Sequence, residues 1–247
     1  MLNTVVTVAP THEPYARGGF ASGNAVYTPP TSTALKPETA YTGSVDATKL
    51  PGTQASGIKN PAPDKSLKAQ PTPPGGIGPL SVEQVRALMA QLGWGESSNN
   101  YQAVNNLGFI GKYQQGAAVL HDQGYIKSTV KYNVQMPNPN SWTGKDGIGS
   151  IPDYLNNPDV QEKVEYNLLV ANYNQMVKSG AITTDMTTDQ IGGMLAVSTL
   201  LGAGGAHQWR QTGAGGDTNG ATGAMYFNRG TYAVATLTPK LATLSAG

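Results

Sequence analysis

The chain changes character at Ser81, and that break constrains its architecture more than any motif. Upstream, residues 1–79 hold most of the 17 prolines, in runs such as Thr28-Pro29-Pro30-Thr31 and Gln70-Pro71-Thr72-Pro73-Pro74-Gly75-Gly76. Each proline removes a backbone donor and fixes φ, so neither a helix nor a central strand can run through such a segment. Large apolar side chains are sparse there, and no helical or alternating period persists. A segment of this kind cannot bury enough surface to offset the roughly 1–2 kcal/mol per residue that ordering its backbone costs. Two readings remain open: a disordered linker, or an extended Pro/Gly/Thr-rich arm that becomes ordered only along partner subunits. The second would use Tyr15, Phe20, Tyr27, Tyr41, Leu50 and Ile58 as anchors. Neither gives residues 1–79 a catalytic role.

From Ser81 onward the sequence reads as helices with punctuation. Ser81-Val82-Glu83-Gln84 is a capping box, followed by Val82, Val85, Leu88, Met89 and Leu92 at helical spacing, with Gly93 and Gly95 as stops. A second helix is predicted over 112–123. Asn157-Pro158 reads as an N-cap with proline in the first turn, opening a long helix that ends near Gly180. Thr187-Thr188-Asp189-Gln190 is another capping box, with its helix ending at Gly202. A short helix over 221–228 and a single strand over 231–238 complete the prediction. The fold class expected is mainly α, and no internal repeat is visible.

Composition removes several functions. The formal charge of +1 leaves no basic footprint for nucleic acid. Cysteine is absent, and His12, His121 and His207 are too dispersed for a zinc site, so no metal or other cofactor is expected. No window approaches the roughly 20 apolar residues of a membrane span, so no membrane insertion is expected. Residues Met1 to Val6 lack the basic and apolar regions of a secretory signal.

The residue best placed for chemistry is Glu96, in Trp94-Gly95-Glu96-Ser97-Ser98-Asn99-Asn100-Tyr101 at the mouth of a helix. The other five glutamates are expected in the arm or at solvated helical positions. A polar and aromatic stretch follows Glu96 through Asn105 to Gly111-Lys112-Tyr113-Gln114. A carboxyl near apolar Leu92 and Trp94, among hydroxyls and amides that grip a sugar, is the equipment for protonating a glycosidic oxygen. Read without spacing, the same stretch is a glutamate at a helix end followed by a polar loop.

The spacing goes further. From Glu96 the chain reads Glu-Ser-Ser-Asn-Asn-Tyr-Gln-Ala-Val-Asn, then Asn-Leu-Gly-Phe-Ile-Gly-Lys-Tyr-Gln. This resembles the lysozyme-like superfamily, in particular its soluble lytic transglycosylase and goose-type lysozyme branch. There a catalytic Glu-Ser pair precedes an Ala-x-Ser and a Gly-x-x-Gly-Leu-Met-Gln element. Glu96-Ser97 matches the pair, Ala103-Val104-Asn105 the Ala-x-Ser, and Gly108 through Gln114 the glycine-glutamine element. Asn105 stands where the family commonly has Ser, and Lys112-Tyr113 where it has Leu-Met. The form Gly-Lys-Tyr-Gln looks like the variant in phage virion-associated peptidoglycan hydrolases. Met194 through Gly204 looks similar to the closing Ala-Ala-Tyr-Asn-Ala-Gly-Pro-Gly motif, with Thr199 and Leu200 where the family has Tyr-Asn. Asn172-Tyr173-Asn174 is a displaced copy only at the cost of lying in mid-helix.

The resemblance implies a lysozyme-like helical domain over 80–230, with 231–247 as a C-terminal tail. It implies a tail or baseplate protein, assembled in the host cytoplasm and carried by the virion to the periplasmic cell wall. There Glu96 is the general acid that cleaves the bond between N-acetylmuramic acid and N-acetylglucosamine in peptidoglycan glycan strands. Ser97, Asn105, Tyr113 and Gln114 orient glycan and carboxyl, while residues 1–79 hold other tail or baseplate proteins. The family's single-glutamate mechanism is the preferred one; Asp122, Asp146 and Asp217 are the candidates for a second carboxylate. His207 is a candidate for the cleft, and Trp142 either stacks on sugar or anchors its loop. The rivals are a structural tail protein with an inactive lysozyme-like domain, and a free endolysin with a wall-binding arm.

Overall fold

A computed structural model describes residues 71–217 and 220–235, so the arm up to residue 70 and the tail beyond 235 lie outside the described residues. The described part is mainly helical, as expected. Its helices are α1 (Val82–Ser97), α2 (Ala117–Asp122), α3 (Ile151–Leu155), α4 (Pro158–Ser179), α5 (Thr188–Thr212) and α6 (Gly223–Ala235). Three short 3-10 turns separate α2 from α3, and isolated bridges such as Ile110–Gln115 take the place of strands among the described residues.

The caps sit where the sequence put them. Ser81 and Gln84 exchange side-chain and backbone bonds of 2.9 and 3.2 Å at the start of α1. Thr187 and Gln190 repeat the exchange at α5. Asn157 accepts the Val160 N–H at α4, and Gly180, at φ 74°, ends that helix.

The stops were less legible. Helix α1 runs through Gly93 and Gly95 and ends at Ser98, in the left-handed region at φ 59°. Both glycines serve packing: a Cβ at Gly93 would stand 2.5 Å from Lys112 Cε, and one at Gly95 would stand 2.4 Å from Arg229 Cζ. The helix predicted over 112–123 shrinks to α2, because Gly111 and Gln114 take positive φ and the chain folds back through the Ile110–Gln115 bridge. At Gly202 (φ 71°, ψ 167°) α5 kinks and then resumes, ending at Gly213. The strand expected from residue 231 is the last part of α6, where Thr231, Ala233 and Val234 are buried. At the other boundary Ile77 already belongs to the core.

Two apolar clusters form that core. One joins α1, α5, α6 and the C-terminal half of α4 around Leu88, Leu169, Leu195 and Val234. The other joins α2, α3 and the N-terminal half of α4 around Leu120, Tyr154, Val164 and Leu168. Helix α4 thus runs through both. Helices α5 and α6 cross at bare backbone: a Cβ at Gly230 would stand 2.2 Å from Gly192 O. Neither backbone can retreat without lifting α6 off the core. Gly230→Ala is therefore expected to lower stability by about 1–3 kcal/mol, the usual cost of overpacking, as read from urea unfolding midpoints.

Candidate active site

The seam between the two clusters opens as a small cleft. Leu92 and Tyr113 reach it from one cluster, Val119 and Leu168 from the other. Its polar walls come from Glu96, Gln114, Gln115, Glu165, Thr199 and Tyr226. The cavity volume is about 20 Å³, room for a water-sized group at the floor.

Glu96 occupies the last turn of α1 with its side chain 12% exposed. Its Oε1 accepts a hydrogen bond from the Tyr226 hydroxyl. The same oxygen lies 3.6 Å from Arg229 Nη1, and the Arg229 side chain is itself buried. The guanidinium rests over the Tyr226 ring, with Cζ 4.4 Å from its centroid. Three residues apart on α6, Tyr226 and Arg229 share a face and act on one carboxyl together. The bare Cα of Gly95 makes the space the guanidinium occupies.

The expectation that the remaining glutamates of the helical region are solvated is corrected for two of them. Glu83 is exposed, but Glu162 and Glu165, on α4, are buried. Glu162 takes Lys112 Nζ at 2.5 Å, the Tyr101 hydroxyl at 2.6 Å and the Tyr113 hydroxyl at 2.7 Å. Lys112 lies over both rings, 5.2 Å from the Tyr101 centroid and 4.5 Å from that of Tyr113. Burial pulls the Lys112 ammonium below the ordinary lysine value, against the pull of Glu162. Burial, reinforced by Glu162, pushes both phenols well above theirs, so they stay protonated as donors.

Glu165 has a different environment. Its Oε2 accepts from Gln115 Nε2 at 3.0 Å, and Gln115 Oε1 accepts from the Tyr154 hydroxyl. Burial pushes its carboxyl up to about 8; the Gln115 hydrogen bond opposes this, while the negative charges of Glu162 and Glu96 add to it. At neutral pH Glu165 is mainly a neutral acid.

Of the residues expected at the site, Glu96, Tyr113 and Gln114 line the cleft. Ser97 is turned elsewhere: its hydroxyl donates to Lys112 O at 2.7 Å and ties the end of α1 to the following loop. Asn105 accepts the Leu107 and Phe109 N–H groups through Oδ1 and shapes a turn. Thr199, from the stretch compared with the closing motif, lines the cleft, and its hydroxyl donates to Ala196 O. Asn172 is a buried tie from α4 to Ser198. The three aspartates are engaged in other places. Asp122 contacts His121, Asp217 accepts from Ala221 N, and Asp146 holds Lys163 and Tyr125. The Lys163 and Tyr125 hydrogen bonds keep Asp146 below the ordinary aspartate value. His207 contacts Ser179 and Gln211. Trp142 is a buried loop anchor whose Nε1 donates to Met136 O, so no ring face is offered to a sugar.

Sequence reasoning missed Tyr226, Arg229 and Glu165. A signal existed for Glu165: with Leu169, Asn172 and Met176 it forms an i, i+4, i+7, i+11 stripe, and that stripe is buried. For Tyr226 and Arg229 the i, i+3 spacing marks a shared face, but the packing of α6 against α1 aims it at Glu96. No group of metal-ligating side chains is found among the described residues. No family model, curated protein or solved structure matches the chain.

The raised value at Glu165 has a definite sign for stability. Below its ordinary 4.5 both folded and unfolded states are protonated, and nothing is lost. Between 4.5 and about 8 only the unfolded chain releases the proton, so stability falls with rising pH, by about 1.4 kcal/mol per unit at most. Urea unfolding of wild type and Glu165→Gln across that window is expected to show a steeper decline for wild type.

Proposed function

We propose that this protein cleaves the glycosidic bond between N-acetylmuramic acid and N-acetylglucosamine in peptidoglycan, with Glu96 as the proton donor. The observation that carries the reading is convergence. Glu96, Tyr113 and Gln114 from the first motifs, and Thr199 from the closing one, line a single cleft although they come from separate segments. Tyr226 supports it further, because it brings to Glu96 the phenol that Thr199 lacks. A lysozyme-like domain follows from the same motifs, and a role in a phage tail or baseplate follows from the Gly-Lys-Tyr-Gln form. The partners in that role are glycan strands and, through residues 1–79, neighbouring tail proteins. Acting from a virion, it would open the cell wall locally during infection.

One observation favours the rival, an inactive domain used as a structural part of the tail. The cavity volume is only about 20 Å³, so a sugar ring rests at its mouth and at most one substituent enters. Mass spectrometry of digested peptidoglycan distinguishes the two. Reducing ends mean hydrolysis, 1,6-anhydro ends mean transglycosylation, and no product means the structural reading.

Glu96→Gln is expected to lower the rate on purified peptidoglycan by at least about 10²-fold, the usual worth of a general acid. Circular dichroism and thermal melting check the fold, because Arg229 then loses its counter-charge. Tyr226→Phe, which keeps the ring beneath Arg229, is expected to cost on the order of tenfold in kcat/KM with the fold intact. A rate unchanged by Glu96→Gln overturns the assignment.

A further inference from the structure

We propose that Glu165 is a substrate-binding residue: its carboxylic acid group donates a hydrogen bond, from the floor of the cleft, to an oxygen of the N-acetylated sugar held beside Glu96. The proposal rests on the glycan-cleaving reading and gives the cleft a second substrate contact.

The amide of Gln115 sets the hydrogen bonding at Glu165. Its Oε1 is committed to the Tyr154 hydroxyl, so its Nε2 is the end that faces Glu165 and donates to Oε2. With Oε2 accepting, the acid proton falls to Oε1. Among the described residues no protein acceptor meets that proton. An acid proton that no protein group accepts is taken up by water or by a ligand that reaches the cleft Glu165 lines. Glu165 is 2% exposed, which excludes a role in solvating the surface, and the space it borders is the cleft itself.

The surroundings fit this use. Leu92, Val119 and Leu168 give the floor an apolar lining that keeps bulk water from competing. A volume of about 20 Å³ suits one oxygen-bearing substituent, with the ring it belongs to remaining outside. The ionisable groups around Glu165 are Glu162 on its own helix, Glu96 on α1, Lys112 and Tyr113 of the intervening loop, Tyr154 on α3 and Tyr226 on α6. Lys112 favours ionisation of Glu165, while Glu162 and Glu96 oppose it. The donor therefore persists through neutral pH and is lost in mildly alkaline solution, where the carboxylate would repel the sugar oxygen.

The test measures binding of N,N′,N″-triacetylchitotriose to the full chain by calorimetry, in a Glu96→Gln background that prevents turnover. Affinity is expected to fall at least about tenfold between about pH 6 and about pH 9.5, the equivalent of one lost hydrogen bond. Adding Glu165→Leu should impose that loss already at the lower pH. Adding Glu165→Gln, whose amide still donates but cannot ionise, should recover most of the affinity and remove the pH dependence. A purely structural Glu165 would leave the pH profile alike in all three proteins, and that result overturns the proposal. So does affinity unchanged by Glu165→Leu, or an absence of binding at every pH. Peptidoglycan cleavage by wild type without trisaccharide binding would overturn the Glu165 contact alone. Binding with the expected pH profile, but no cleavage by wild type, would overturn the enzymatic reading and keep the contact.

Discussion

The site depends on the buried ion pair between Lys112 and Glu162. Lys112 is wholly buried with its ammonium 2.5 Å from Glu162, so the lysine charge has no water to fall back on. Removing either partner would strand the other in a low-dielectric interior, which makes the pair costly to break. Its geometric consequence matters more than its energy. The pair pins the segment after α1 to α4, and Gly93 provides the space on α1 that the lysine chain occupies. With the segment held there, Tyr113, Gln114 and Gln115 are delivered to the cleft. Tyr101 and Tyr113 complete the arrangement by donating to the same carboxylate and presenting their rings to the ammonium.

Against this frame, two carboxyls share one cleft in unlike environments. Glu96 reaches it from the end of a helix, with a phenol and a guanidinium directed at the same oxygen. Glu165 reaches it from the middle of α4, where burial keeps it protonated and an amide holds one oxygen. Pairs of titratable groups whose surroundings differ in this way are characteristic of sites that move protons.

Much of the helical outline was legible because helix starts are local events. Ser81, Asn157 and Thr187 each cap a helix through atoms only three residues away, so spacing alone reveals them. The ends were harder to read, since glycine serves both termination and close packing. Gly180 ends α4, whereas Gly93, Gly95 and Gly230 lie within helices because a lysine, an arginine and a neighbouring backbone need the room. At Gly202 glycine does something intermediate, a kink from which the helix continues.

For the site, the sequence by itself determined Glu96 and the intervals to Tyr113 and Gln114, because these lie in one continuous stretch of chain. It also singled out the stretch that holds Thr199, without showing what stands beside Glu96. Only the tertiary structure decided that. The packing of α6 against α1 brings Tyr226 to Glu96 from 130 residues away, with Arg229 beside it. Burial on α4 likewise turns Glu165 from an ordinary helical glutamate into a neutral acid at the cleft floor. Local spacing reports caps, turns and motifs; a shared oxygen and a shifted protonation state come from groups that meet only when the helices pack.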